Sequence, residues 1–455
     1  MRSQSRAITS TLKWGWESLR GGSAGLFTAL MIANVIGYVY QMLMARMMTP
    51  EDYGVLITLT SISYVLTVLM RSFQMWIIEA VGKRRDATNV RMVFLAATRT
   101  LVPLGLLAFA LHWVFSGEGA DFLQMRSSTP LIMLGLYTLS SFLVPIPRGV
   151  LMGMKRLSFA GFILVLEPVV RLASAILLVM WGFSVNGAIL SFALGNLVAF
   201  MVALIPIWFL LNRNRAEEQA EGVEGTSRLR ALDRYALTVL AINSCLMLIS
   251  SIDQVAVKHY FSEQVAGNYA VAFLLGRVIV MITLSLGWVV FTRSATMTPD
   301  DPRRIRLLTR SLVIIGVIST VLTTGYILFP SQAVHLMGGA EYSSAKAYVG
   351  MVGIEMTLFA LVYIQAYFLI SLRKTQVIWP LCVAAVLEVI LIAEYHDTVT
   401  EVLLGLIAVM GGLLVTVSAL SWWLIYAKSS AARVAARATA RATGDMADIK
   451  REGMA

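Results

Sequence analysis

Twelve apolar stretches alternate with polar connections along the chain, at about 24–48, 54–79, 91–115, 129–152, 157–181 and 187–211, and again at about 236–261, 266–291, 309–330, 347–370, 375–395 and 399–426. Each is long enough for a helix that crosses a bilayer, which takes about 20 residues. The runs are too long for barrel strands and lack their alternation of apolar and polar positions, so helix is the expected element throughout. Between the sixth and seventh stretches lies Asn-Arg-Asn-Arg-Ala-Glu-Glu-Gln from Asn212 onward, charged and without apolar period, which reads as a linker over 212–235. The pattern therefore predicts an all-α membrane protein with a leader at 1–23, one set of six helices at 24–211, a second at 236–427 and a basic tail at 428–455.

The connections differ in charge by turns. Of the 37 Lys and Arg residues, 29 fall in the leader, the tail and every second connection, whereas the alternate connections hold only Arg46, Arg126, Lys258 and Lys346. The other four, Arg71, Arg99, Arg171 and Arg277, sit inside apolar stretches. Cytoplasmic loops are enriched in Lys and Arg, so both termini and the linker are expected on the cytoplasmic side of a bacterial inner membrane. The start of the chain has no apolar core of a signal peptide and reads as a cytoplasmic leader, with Trp14 and Trp16 at the interface. For the tail two readings stand, a basic helix lying on the inner leaflet and a disordered segment.

Composition narrows the class further. With 58% hydrophobic and 14% charged residues and a mean hydropathy of +0.75, too little polar surface is present to coat a water-soluble globule. A net charge of +11 would point to nucleic acid in a soluble protein. Here it lies in short loops beside anionic membrane lipid, so lipid and not nucleic acid is the expected partner. Cys245 and Cys382 lie in apolar stretches and read as small core residues. The four histidines, His112, His259, His335 and His396, are too scattered for a predicted metal site, and no phosphate-cradling Walker sequence occurs, so neither metal nor cofactor is expected.

The two sets of six repeat one another. Ala45-Arg-Met-Met-Thr-Pro-Glu-Asp-Tyr-Gly54 joins the first two stretches, and Lys258-His-Tyr-Phe-Ser-Glu-Gln-Val-Ala-Gly267 joins the seventh and eighth. A shift of 213 positions pairs Thr49 with Ser262 and Gly54 with Gly267 without a gap. In each copy a hydroxyl is offered as N-cap, a glutamate enters the first turn, and glycine permits close packing at the re-entry. Six is an even number, so both copies enter the bilayer in the same direction and form parallel repeats.

These residues resemble the bacterial polysaccharide transporter family, the O-antigen and exopolysaccharide repeat-unit flippases of the multidrug/oligosaccharidyl-lipid/polysaccharide exporter superfamily. The likeness rests on the first helix ending in Ala45-Arg46 and the turn of Pro50, Glu51, Tyr53 and Gly54, with Ser262, Glu263, Gly267 and Tyr269 in the second copy. It implies about twelve transmembrane helices in two six-helix lobes around a central cavity open to either side in turn. It also implies a lipid-linked oligosaccharide as cargo, moved from the cytoplasmic to the periplasmic leaflet without an enzymatic step. Ion-gradient coupling is implied as well, and as partners the polysaccharide polymerase or other assembly-pathway membrane proteins.

Charges within the apolar stretches are the candidate site, because a charge at mid-bilayer costs a few kcal/mol and persists where it meets a partner or a wet cavity. By position Arg171, Arg277 and Glu388 are deepest, Glu167 and Asp253 intermediate, and Arg71, Arg99 and Glu355 nearer the ends. The four arginines are expected to line the substrate cavity, since guanidinium presents a planar fork suited to diphosphate and carboxylate oxygens. Arg71 and Arg99 also have a plain reading as side chains snorkelling to the cytoplasmic face. Glu167 and Arg171, four residues apart, also have one as an intrahelical ion pair. Glu167, Asp253, Glu355 and Glu388 are the candidates for ion coupling or charge balance, because a carboxyl group in apolar surroundings favours its neutral form and can take up a proton. The amides Asn34, Gln41, Gln74, Asn243, Gln254 and Gln365 either meet sugar hydroxyls or join helices.

Two further classes compete. A multidrug or toxin cation antiporter of the same superfamily would share the helices, yet embedded arginines would repel its cargo. A membrane polymerase, ligase or glycosyltransferase would carry a long outer loop with catalytic polar residues, and the longest here, about 116–128 and 331–346, are short.

Overall fold

The computed structural model describes residues 22–213, 234–295, 297 and 303–424. The expected leader, linker and basic tail lie, but for their edges, outside the described residues. Among the described residues every regular element is helical. The first half comprises α1 (Gly22–Met47), α2 (Pro50–Lys83), α3 (Ala87–Val114), the short α4 (Ser116–Phe122), α5 (Thr129–Leu143), α6 (Pro145–Gly153), α7 (Leu157–Leu178) and α8 (Ser184–Arg213). The second comprises α9 (Arg234–Ile249), α10 (Ile252–Tyr260), α11 (Glu263–Ala295), α12 (Arg303–Leu328), the short α13 (Pro330–Met337), α14 (Lys346–Ser371), α15 (Ile378–Glu394) and α16 (Val399–Leu424). The halves share a layout, with one short helix after the third long one in each.

Nine stretches of described helix are long and apolar enough to cross a membrane, or ten when α9 and α10, bent by 42°, count as one span. One of the nine, Leu157–Phe209, holds two helices. It breaks at Gly182, whose φ of 88° is open to glycine alone without strain, in a short π-helical turn. With α2, 34 residues long, and with α5 and α6 as one pass, the helices make the twelve passes that the sequence predicts. Large apolar side chains stand exposed along them, among them Trp113, Trp181, Met201, Trp208, Val321, Trp379 and Trp423. Water would not tolerate such a surface, and lipid favours it. The chain is a multi-pass membrane protein.

By packing, the chain divides into two units that cut across the sequence halves. Unit 1 comprises Met1–Leu275 with Phe329–Val349, and unit 2 comprises Gly276–Leu328 with Gly350–Ala455. In unit 1, α7 lies along α1 and α8, α5 along α3 and α8, and α6 along α2. Its core includes Ile77 and Val81 of α2, Val93 and Leu101 of α3, Val150 of α6, Ile163 of α7 and Ala199 of α8. Small residues set the spacing, as expected where packing and not water drives helices together. A Cβ on Gly149 would lie 2.8 Å from the Ile77 side chain, and one on Gly153 2.7 Å from that of Val81. In unit 2, α11 meets α14 where a Cβ on Gly276 would lie 2.6 Å from Val352. Thr323 of α12 donates to the Gly353 carbonyl of α14 at 2.9 Å.

The repeated hairpins cross each other inside unit 1. Thr49 Oγ1 accepts from the Asp52 amide at 3.3 Å, and Ser262 Oγ accepts from the Val265 amide at 3.5 Å, so the paired positions carry the same cap. Pro50 opens α2 with Glu51 in its first turn, and Glu263 opens α11. The paired glycines face one another: a Cβ on Gly54 would lie 2.9 Å from the Gly267 nitrogen, and one on Gly267 would overlap the Pro50 carbonyl. Backbone meets backbone there, and only glycine leaves room on both sides.

Candidate functional site

The embedded charges separate by burial and by unit. Arg71 on α2 and Arg99 on α3 are exposed along their helices and join no cluster with the others among the described contacts. This fits side chains that reach outward better than residues lining a site. Asp253 belongs to unit 1 and is fully buried, with Tyr269 Oη donating to its Oδ2 at 2.6 Å. Arg277, Glu355 and Glu388 are buried in unit 2. Gly276 packs against Val352 and Met356, which brings Arg277 and Glu355 to the same level of α11 and α14.

The best-defined cluster lies in unit 1 around Glu167 on α7. Its Oε1 meets the Arg171 guanidinium at 2.6 Å and its Oε2 meets that of Arg148 at 2.5 Å. All three side chains are mostly buried. The intrahelical pair read from the four-residue spacing is thus formed, but a second arginine shares its carboxylate. Arg148 counts with the loop charges when the sequence is read alone. The structure places it instead within α6, where Pro145 and Pro147 start a new helical segment and carry the chain past α7.

Aromatic rings complete the cluster. The Arg171 guanidinium lies 4.3 Å from the centre of the Phe192 ring on α8, a cation–π contact worth about 1 to 2 kcal/mol when screened from water. Tyr40 of α1 and Tyr137 of α5 pack on Phe192 at 5.1 and 5.0 Å, and Tyr40 Oη donates to the Ala188 carbonyl at 3.0 Å. Gly195 explains how α8 comes so near, since a Cβ there would lie 2.7 Å from the Glu167 carbonyl oxygen. Directly after it, Asn196 donates to Ser140 and Ser141 of α5 at 3.1 Å each.

The charge count decides the chemistry. Two guanidiniums share one carboxylate, leaving a formal excess of one positive charge, and the buried Nε of Arg148 and of Arg171 has no hydrogen-bond partner among the described residues. Buried donors are nearly always satisfied. The arrangement suits an anionic group presenting several oxygens. Nothing in the sequence pattern marks Phe192, Tyr40 or Tyr137; for Arg148 a signal exists, in the two prolines that bracket Ile146 directly before it.

Other residues singled out by sequence act as joints. Gln254 donates to Thr58 at 3.0 Å, tying α10 to α2, and Gln365 donates to Ser418 at 3.1 Å, tying α14 to α16. Of the hairpin residues, Arg46 donates to the Leu336 carbonyl at 2.6 Å, and Tyr53 packs edge-to-face on Tyr342 with ring centres 5.9 Å apart. Glu263 pairs with Arg126 at 2.7 Å and lies 3.9 Å from the buried Lys258. The hairpin residues therefore cap, cross and fasten helices of unit 1, apart from the Arg148–Glu167–Arg171 cluster.

Among solved structures, the fold is similar to that of an inward-facing multidrug resistance MATE family transporter of the MOP superfamily, at a TM-score of 0.69 and 12% identity over 90% of this chain and 99% of that one. The outward-facing form of such a transporter matches at 0.60 and 14% identity over 91% and 99%. A MOP superfamily transporter from Pyrococcus furiosus, described as having a binding pocket of reverse polarity, matches at 0.60 and 15% identity over 91% and 98%. At these identities the likeness is one of fold. No curated protein matches the sequence. The model of one family, described as polysaccharide biosynthesis protein, matches residues 43–347, from the end of α1 to the start of α14, and the chain belongs to that family.

Proposed function

We propose that this protein is a flippase of the bacterial inner membrane, with both termini cytoplasmic, that moves lipid-linked oligosaccharide to the opposite leaflet for surface polysaccharide assembly. The family supplies the pathway and the fold supplies the architecture of a transporter. The observation that carries the reading is the cluster of Arg148, Glu167 and Arg171, with two guanidiniums for one carboxylate and both Nε atoms open. A diphosphate-linked lipid brings the oxygens that such donors take, in a planar fork that ammonium cannot match. Asp253, Glu355 and Glu388 are the candidates for taking up a proton in the cycle, and a polymerase or another assembly-pathway membrane protein is the expected recipient of the cargo.

A cation antiporter is the competing reading, favoured by the multidrug transporters of the same fold. Pocket polarity separates the two, as the description of the Pyrococcus furiosus relative suggests for that protein. The test is complementation of a strain lacking the protein. Arg171→Gln and Arg148→Gln should each abolish periplasmic glycan assembly at unchanged membrane level, with Lys restoring it only in part. Full assembly by both Gln variants would overturn the reading.

A further inference from the structure

Each half has one short helix at its Lys/Arg-poor end, and each is held by the hairpin of the other half. Arg46, in the last turn of α1, donates to the Leu336 carbonyl at 2.6 Å, in the last turn of α13. His259, in the last turn of α10, bonds through Nδ1 to the carbonyl of Phe122, the last residue of α4, at 2.5 Å. The 213-residue shift that pairs Thr49 with Ser262 also pairs Arg46 with His259. The carbonyls that end a helix lack partners within it and carry partial negative charge, so a donor of this kind is favoured there.

Each contact has support of its own. On the α4 side, the Phe122 and His259 rings stack with centres 4.1 Å apart, and Gln124 Nε2 donates to the His259 carbonyl at 2.7 Å. Lys258 Nζ donates to the Gln124 carbonyl at 3.4 Å, and Arg126 pairs with Glu263. On the α13 side, Tyr342 packs on Tyr53, and a Cβ on Gly338 would lie 2.6 Å from the Tyr342 ring. Both sides thus join a hydrogen bond to a ring contact, and the α4 side adds the bonds of Gln124 and Lys258, around equivalent anchoring residues.

We propose that these crossed contacts form a paired latch that holds the Lys/Arg-poor end shut and releases when cargo leaves there; the cargo rests on the flippase reading, whereas the latch rests on these contacts alone. Their character suits release. Arg46, Gln124 and Arg126 are exposed, so their bonds exchange with water at little cost. The buried Gly54–Gly267 crossing beside them stays closed and serves as the pivot. The pairing by repeat means that one rotation of the two hairpins about that crossing frees both short helices together.

The test uses the full chain in lipid vesicles, with Cys245→Ser and Cys382→Ser. Spin labels go at Asp121→Cys with Gln264→Cys across the first contact, and at Glu51→Cys with Ser343→Cys across the second. Each pair should show a short and a long distance population. Arg46→Ala with His259→Ala should raise the long population at both pairs at once, as should either single variant to a lesser degree. A thiol cross-link between Gln124→Cys and His259→Cys should remove the long population and stop turnover until it is cleaved. One short population at both pairs, unmoved by these variants, would overturn the latch. Glycan assembly that persists when the protein is deleted would overturn the flippase reading and leave the spin-label distances to decide the latch.

Discussion

Replacing Gly267 by alanine tests the crossing on which the hairpin argument depends. A Cβ at this position would overlap the Pro50 carbonyl and lie 2.9 Å from the Pro50 Cα. The obstacle is backbone, so no rotamer relieves it and the start of α11 has to move off α2. Overpacking of this kind costs about 3 kcal/mol, against about 1 kcal/mol gained from the better helix former. The net expectation is a loss of about 2 kcal/mol. Gly54→Ala is milder, because its Cβ would meet the Gly267 nitrogen and Cα at 2.9 and 3.0 Å, and should lose at most about 1 kcal/mol. Gly37→Ala on α1 has nothing within 4 Å and should be neutral or gain up to about 1 kcal/mol. Once either alanine has parted the helices the second enters space already opened, so the double variant should cost less than the sum of the single ones. Thermal unfolding of the purified protein in detergent ranks the four variants. Gly267→Ala unfolding at or above the parent temperature would refute the crossing.

Other expectations follow from the charges. Glu167→Gln leaves two mostly buried guanidiniums facing each other and should destabilise by about 3 kcal/mol; Arg148→Gln should cost less, since Glu167 keeps Arg171, and the reverse order in unfolding temperature would contradict the shared carboxylate. A membrane-impermeant thiol reagent applied to intact cells should label Ser127→Cys and spare Lys155→Cys in a Cys-free background, and the opposite result would invert the orientation. Transport by reconstituted protein should respond to an imposed pH gradient and lose that response in at least one of Asp253→Asn, Glu355→Gln and Glu388→Gln; an unchanged response in all three would leave the acids as charge balance only.

Span count, helix class and the doubled layout were legible along the chain, because lipid imposes its demands segment by segment: each pass must be apolar and must satisfy its own backbone. The hairpin repeat was legible too, down to the pairing of Thr49 with Ser262 and of Gly54 with Gly267. That those two glycines touch each other was not, nor that Arg46 and His259 each fasten the short helix of the other half. Arg148 reads as a loop charge for a related reason: its neighbours in sequence are loop-like, while its partner Glu167 stands on the next helix. The embedded arginines, grouped by residue type as one cavity lining, fall into different settings, with Arg71 and Arg99 exposed, Arg171 over Phe192 and Arg277 buried in the other unit. Each segment, read alone, shows what it needs from its solvent. Which segments meet is visible in the packed helices alone, because a helix crossing depends on shape at both faces, and the faces come from residues far apart in the chain.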